Sequence, residues 1–176
     1  MNLSLWQNFY VIAGSSAGAL ISVQFVVIAL ISSLRRRAEV ESINAFGTPT
    51  VVHFGGALTI SALMTAPWPS LLALSVTLTI CGLLGLVYSS IVFRRARRQT
   101  AYRPVPEDWL WYVGMPTGIY AALTVVAVFL RDSGRVGLFL IAAAVLGLLL
   151  IGIRNAWDSV THLVAGGHQS DGKTSE

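Results

Sequence analysis

Charge is what this sequence has least of. Among 176 residues, 12 are Lys or Arg and 8 are Asp or Glu, 11% in all, where a soluble domain carries about 25%. So few charges cannot solvate the surface of a chain this size in water, so lipid has to be the solvent for much of it. Cysteine is almost absent too. The single Cys81 rules out an intramolecular disulfide. Its place inside an apolar run reads as a small packing residue, since a reactive thiol needs exposure and a lowered pKa. No CxxC, HExxH or Gly-Lys-Ser/Thr occurs anywhere, which removes metalloprotease, kinase and dehydrogenase readings. No Asp, Glu, Lys or Arg falls in the middle of an apolar run. That argues against a proton-coupled pump or a charged selectivity ring.

What is present is apolar length. Hydrophobic residues make up 55% of the chain and the mean hydropathy is +0.69. A membrane-spanning helix takes about 20 mostly apolar residues. Five runs qualify: 7–34, 49–66, 69–93, 108–130 and 136–163. The first is closed by Arg35-Arg36-Arg37. Its leading residues hold no Lys or Arg and its apolar stretch is long, so it reads as a retained span and not a cleaved leader. Thr48-Pro49 reads as the start of the second, with Thr as N-cap and Pro at the first helical position. That span is the shortest and carries His53, Gly55 and Gly56. Pro67-Trp68-Pro69 forces a turn before the third. Glu107 and Asp108 open the fourth, where the helix dipole favours negative charge. Gly166-Gly167 reads as the stop of the fifth, leaving 168–176 as a disordered tail. The expectation is one all-α transmembrane domain over 1–167, with no soluble domain.

The basic residues set an orientation. The net charge is +4 and the pI about 9.7, but the arginines flank apolar runs and leave no free basic surface for nucleic acid. Ten of the twelve cations fall on one side: Arg35, Arg36, Arg37, Arg94, Arg95, Arg97, Arg98, Arg103, Arg154 and Lys173. Arg131 and Arg135 fall on the other. The positive-inside rule makes the rich side cytoplasmic and puts the N-terminus outside. Aromatic belts agree, with Trp6, Phe9, Tyr10 and Trp68 at the outer boundary and Trp109, Trp111, Tyr112 and Trp157 at the inner one. Arg94, Arg95, Arg97 and Arg98 are placed to attract anionic headgroups. Five spans do not divide into two equal inverted halves, which weighs against a classical secondary transporter.

The polar residues within spans are few. Gly14 and Gly18, Cys81 and Gly85, and Gly114 and Gly118 make small-residue faces at i, i+4, which let helices approach closely inside one molecule or between copies. The Gln24 amide lies deep in the first span and has to face another helix; Ser22, Ser61, Thr77, Thr79, Ser89 and Tyr120 are candidate partners. Gln24, Ser22 and Tyr120 could instead line a polar path. At the cytoplasmic boundary, Asn155, Asp158 and His162 share one helix face, and Arg154 and Asp158 stand at i, i+4 for an ion pair. If spans two and five are neighbours, His53 joins them. Such a cluster suits a hydrogen-bonded cap or a metal site. No catalytic residue and no cofactor is expected.

Trp6-Gln-Asn-Phe9-Tyr10, Phe46-Gly-Thr-Pro-Thr-Val-Val-His53-Phe54, Pro106-Glu-Asp-Trp-Leu-Trp111 and Asn155-Ala-Trp-Asp158 resemble a group of bacterial polytopic membrane proteins with no known activity. The resemblance spans nearly the whole chain. It implies a bacterial inner-membrane protein and carries no mechanism or site residues. Three functions stay open: a non-enzymatic accessory or structural membrane component, a small oligomeric channel or transporter, and a membrane metal-binding protein or enzyme using the His/Asp cluster.

Overall fold

The computed structural model describes residues 3–34, 40–98 and 109–171, and all of its regular structure there is helical. A 3-10 turn, Leu3–Trp6, leads into α1, Gln7–Leu34. Then come α2, Val40–Thr65, and α3, Leu71–Arg98. A π-helical turn, Leu110–Gly114, feeds α4, Met115–Val128, and α5 is Leu130–Asp171. Four helical stretches are long and apolar enough to cross a membrane: Leu3–Leu30, Leu71–Arg97, Leu110–Val128 and Leu130–Asp158. They expose Val11, Phe25, Val26, Leu72, Leu84, Val87, Phe139 and Leu150 on their outer faces. A soluble monomer does not carry that much contiguous apolar surface, so this is a multi-pass membrane protein.

Packing does not follow chain order. The main interfaces are α1 on α2, α2 on α5, α5 on α4 and α4 on α3, while α2 and α3 touch only lightly. α2 and α5 are therefore the centre of the bundle. Fully buried Phe54, Ala57 and Ile60 of α2 meet Ile141, Val145 and Leu148 of α5 in one core. Glycines set the close approaches. A Cβ on Gly152 would run into the Phe54 ring, and one on Gly85 into the Tyr120 ring. Gly14 of α1 faces Ser61 of α2, where an added Cβ would lie 3.1 Å from Ser61 Cβ. Two of the small-residue faces expected to bring helices together thus do so within one molecule.

Several helix ends differ from the sequence reading. α2 begins at Val40 with Pro49 inside it, so Thr48-Pro49 is not its start. A proline within a helix is tolerated when neighbouring helices re-satisfy the freed backbone groups, and α2 packs on α1 and α5. α3 is capped by Ser70, whose Oγ accepts from Ala73 N–H at 3.2 Å, and it runs past Phe93 to Arg98. Between them, Trp68 Nε1 donates to the Leu63 carbonyl at 2.6 Å, satisfying one of the last carbonyls of α2. Residues 99–108, which hold Arg103, Glu107 and Asp108, lie outside the described residues. α5 continues through Gly166-Gly167 to Asp171. A glycine ends a helix when it takes a left-handed conformation, and the one glycine with positive φ among the described residues is Gly134. Of the expected tail, 168–171 is helical and 172–176 lies outside the described residues.

Gly134 breaks α5 near its start, after the first turn. After α4 the chain turns over 129–133, with Ser133 N–H bonded to the Phe129 carbonyl at 2.9 Å. At Gly134, φ is 54° and ψ −131°, a region that residues with a Cβ avoid. The long run of α5 starts after it, as the span expected from Val136 requires. Gly134→Ala is expected to cost about 1–3 kcal/mol of backbone strain, because nothing within 4 Å blocks the methyl itself. Helicity followed through a denaturing-detergent titration reads it; an unchanged midpoint would contradict the strained turn.

The contacts give the bundle two ends. Trp6 meets Phe139 edge-on at 4.7 Å between centroids, and Leu5, Trp6, Leu71, Arg131 and Gly134 line one groove, so the start of α1, the start of α3 and the 129–135 turn share the arginine-poor end. At the arginine-rich end, Phe93 packs on Trp109 at 5.4 Å, and Arg97 lies over Phe93 at 5.4 Å.

Candidate functional site: a buried histidine and tyrosine beside a lateral cleft

His53 lies in the middle of α2 and not at its start. With α2 extended back to Val40, it falls halfway along a 26-residue helix, about 18 Å from either end. It is fully buried. Its Nδ1 is 3.4 Å from Tyr120 Oη, a long and therefore weak hydrogen bond. The Tyr88 ring stands perpendicular to the imidazole at 6.4 Å. His53 Nε2 has no hydrogen-bond partner among the described residues.

Tyr120 is held by two glycines. Gly85 of α3 lies flat against its ring, and a Cβ on Gly56 of α2 would come within 2.9 Å of its hydroxyl. The ring thus crosses from α4 beneath the loose joint between α2 and α3. It floors a cleft of about 230 Å3 whose walls include Gly56 and Thr59 of α2 and Cys81, Gly85 and Tyr88 of α3. The cleft follows from the packing order: α3 docks on α4, and α2 on α5, so the sequence-adjacent pair α2 and α3 is left ajar.

The expected boundary cluster separates. Spans two and five are neighbours as required, but their antiparallel register sets Gly152 against Phe54 and Leu148 beside Gly56. Asn155 follows Gly152 by three residues and is fully buried, as is Thr50, a turn before Phe54. Asp158, half-buried, lies about 9 Å further along α5 than Gly152, and His162 about 15 Å. His53 meets Tyr120, and Asp158 lies more than a helical turn away along α5; the side chain of His162 lies outside the described residues. Arg154 turns its guanidinium over the Trp111 ring, 4.7 Å from the centroid, a cation–π contact. Among the described residues, no group of three or more His, Cys, Asp or Glu is placed to hold a metal ion.

Gln24 is buried on α1, which packs on α2. Most of its candidate partners lie elsewhere. Ser22 is exposed and bonds the Gly18 carbonyl. Thr77 and Thr79 bond carbonyls of their own helix, and α3 forms no main interface with α1. Tyr120 is taken by His53. Within one chain, Gln24, Ser22 and Tyr120 do not face a common space. Gln24→Leu is expected to leave stability within about 1 kcal/mol, because exchanging a buried polar group for an apolar one of similar size is nearly neutral when no bond is removed. A loss well beyond that, read by the same titration, would mean the amide carries an interhelical bond.

No family model, curated protein or solved structure matches the chain. The site is therefore read on its own chemistry. A buried imidazole and a buried phenol can hold or pass a proton and can bond a polar group from a neighbouring molecule. Tyr88, Gly56 and Gly85 are the parts the sequence reading missed. The one signal for them was the unusual density of glycine around His53 and Cys81.

Proposed function

We propose that the protein is a non-enzymatic, five-span component of a bacterial inner membrane, acting as an accessory or structural subunit of a homo- or hetero-oligomer. Its N-terminus is outside and its C-terminus cytoplasmic. α2 is the fifth crossing: it has 26 residues, about 39 Å of helix. Its lower hydropathy suits a helix whose Phe54, Ala57 and Ile60 face other helices and not lipid. Arg94, Arg95, Arg97 and Arg98 end α3 at the cytoplasmic side, where they attract anionic headgroups.

The observation that carries the subunit reading is the lateral cleft. It is floored by Tyr120, edged by small residues on α2 and α3, and lies at a lightly packed interface of the bundle. Small edges admit a further helix closely. Elsewhere the interior polar groups serve packing, as where Ser75 Oγ donates to the Ala127 carbonyl across α3 and α4 at 2.6 Å. Native mass spectrometry of protein released directly from vesicles tests the reading. A defined oligomer or a bound second protein is expected; a bare monomer would contradict it.

A second reading, an oligomeric channel or transporter for an ion or neutral solute, is favoured by buried polar atoms without partners among the described residues: His53 Nε2, Tyr10 Oη, Ser61 Oγ and Ser89 Oγ. It requires flux from reconstituted protein that changes on His53→Leu.

A further inference from the structure

Arg131 and Arg135 stand apart from every other cation. They are exposed at the arginine-poor end, against the charge bias of the rest of the chain. They also flank the start of the long run of α5, where the helix dipole is positive and disfavours cations. Neither the bundle's orientation nor its helices gain from them. Among the described residues neither guanidinium has an ion-pair or hydrogen-bond partner. Asp132, between them in sequence, does not line the space they face.

That space is a groove of about 850 Å3. Both arginines edge it, and its walls are the apolar and aromatic side chains of Leu5, Trp6, Phe9 and Phe139. Trp6 is fixed there by edge-on packing against Phe9 at 6.1 Å and Phe139 at 4.7 Å. The Gly134 break, itself part of the wall, is what turns the two arginines into this groove. Two guanidiniums and a helix N-terminus attract one anionic group, and guanidinium binds phosphate oxygens in a bidentate manner. The adjoining apolar wall accepts hydrocarbon. An anion joined to an acyl chain satisfies both halves.

We propose that this groove is a binding site for an anionic phospholipid of the surrounding bilayer, its phosphate held by Arg131 and Arg135 and its upper acyl segment lying on Trp6, Phe9 and Phe139. The site rests on reading this end as a membrane boundary, which thiol labelling measures separately. A failure of the crossing number and a failure of the lipid site are therefore distinguishable.

The test uses the full chain in vesicles of phosphatidylcholine with a minor share of phosphatidylglycerol. To lower binding at the opposite end, which is the same in every variant compared, Arg94, Arg95, Arg97 and Arg98 are all changed to Gln. Lipid retained after release is identified by native mass spectrometry. Phosphatidylglycerol retention above its share in the vesicle is expected. Arg131→Gln with Arg135→Gln is expected to weaken it about 30-fold, from the ordinary attraction of two basic residues at a headgroup. Leu5→Glu, at an exposed position, is expected to weaken it as well by setting a carboxylate in the groove. Equal retention in the double Arg variant, or equal retention of phosphatidylcholine by the parent, would overturn the proposal.

Discussion

Gly152→Leu is expected to unfold the centre of the bundle. Gly152 is where α5 meets α2, and the added side chain would occupy the place of the Phe54 ring. Phe54 is fully buried and cannot swing out without parting the two helices that the others pack on. Overpacking a tight interior costs about 1–3 kcal/mol and sometimes more, and here the whole side chain, not one methylene, has to be placed. The upper end of that range or beyond is expected, read as an earlier transition in a denaturing-detergent titration followed by circular dichroism. Phe54→Ala should restore much of the loss in the Gly152→Leu background, because the leucine then fills the space the ring left. Non-additivity of this kind marks residues that touch directly. Additive losses would mean that the two positions do not share one space.

Gly85→Leu is the second large effect, and it differs in kind. Here the clash is with the Tyr120 ring, between α3 and α4. α3 sits at the edge of the packing order, so its displacement leaves the α1–α2–α5 core in place. A loss of about 2–3 kcal/mol is expected for the α3–α4 joint, and the displaced Tyr120 hydroxyl then no longer reaches His53. Tyr120→Ala should relieve the clash. Gly118→Leu is the control, since nothing lies within 4 Å of a Cβ there and its position is exposed. It should leave the monomer's stability unchanged. If Gly118→Leu and Gly85→Leu cost the same, general intolerance of glycine replacement, and not the Tyr120 seat, would be the cause.

The helices were legible because lipid imposes a coarse rule. A backbone in hydrocarbon has to satisfy its own hydrogen bonds over the full thickness, which leaves long apolar runs that any reading of the chain finds. α1, α3, α4 and the long part of α5 appear where those runs predict them. The differences lie where local chemistry is outweighed. Pro49 carries the features of a helix start, and Gly166-Gly167 those of a stop, but neighbouring packing in the first case and helical φ in the second override them.

The candidate site was legible only by residue type. His53 and Tyr120 both stand out in the sequence, but on different grounds and with different expected partners. Their meeting depends on α3 choosing α4 over α2, a long-range preference written in the fit of Gly85 to Tyr120. Spacing along one helix does not reveal which ring will lie on a glycine. The boundary cluster differs for a related reason: a helix start at Pro49 sets His53 in the first turn of its helix, and a start at Val40 sets it in the middle.

The most direct test of the central claim is thiol labelling from outside intact cells, with Cys81→Ser as the background. Cysteines replace Ser70 and Ser133 at the arginine-poor end, and Glu41 and Thr161 at the arginine-rich end. The five-span account expects Ser70→Cys and Ser133→Cys to react with a membrane-impermeant reagent at once, and Glu41→Cys and Thr161→Cys only after permeabilisation. Reaction at Glu41→Cys from outside, or protection of Ser70→Cys, would show that α2 does not cross and would contradict the account.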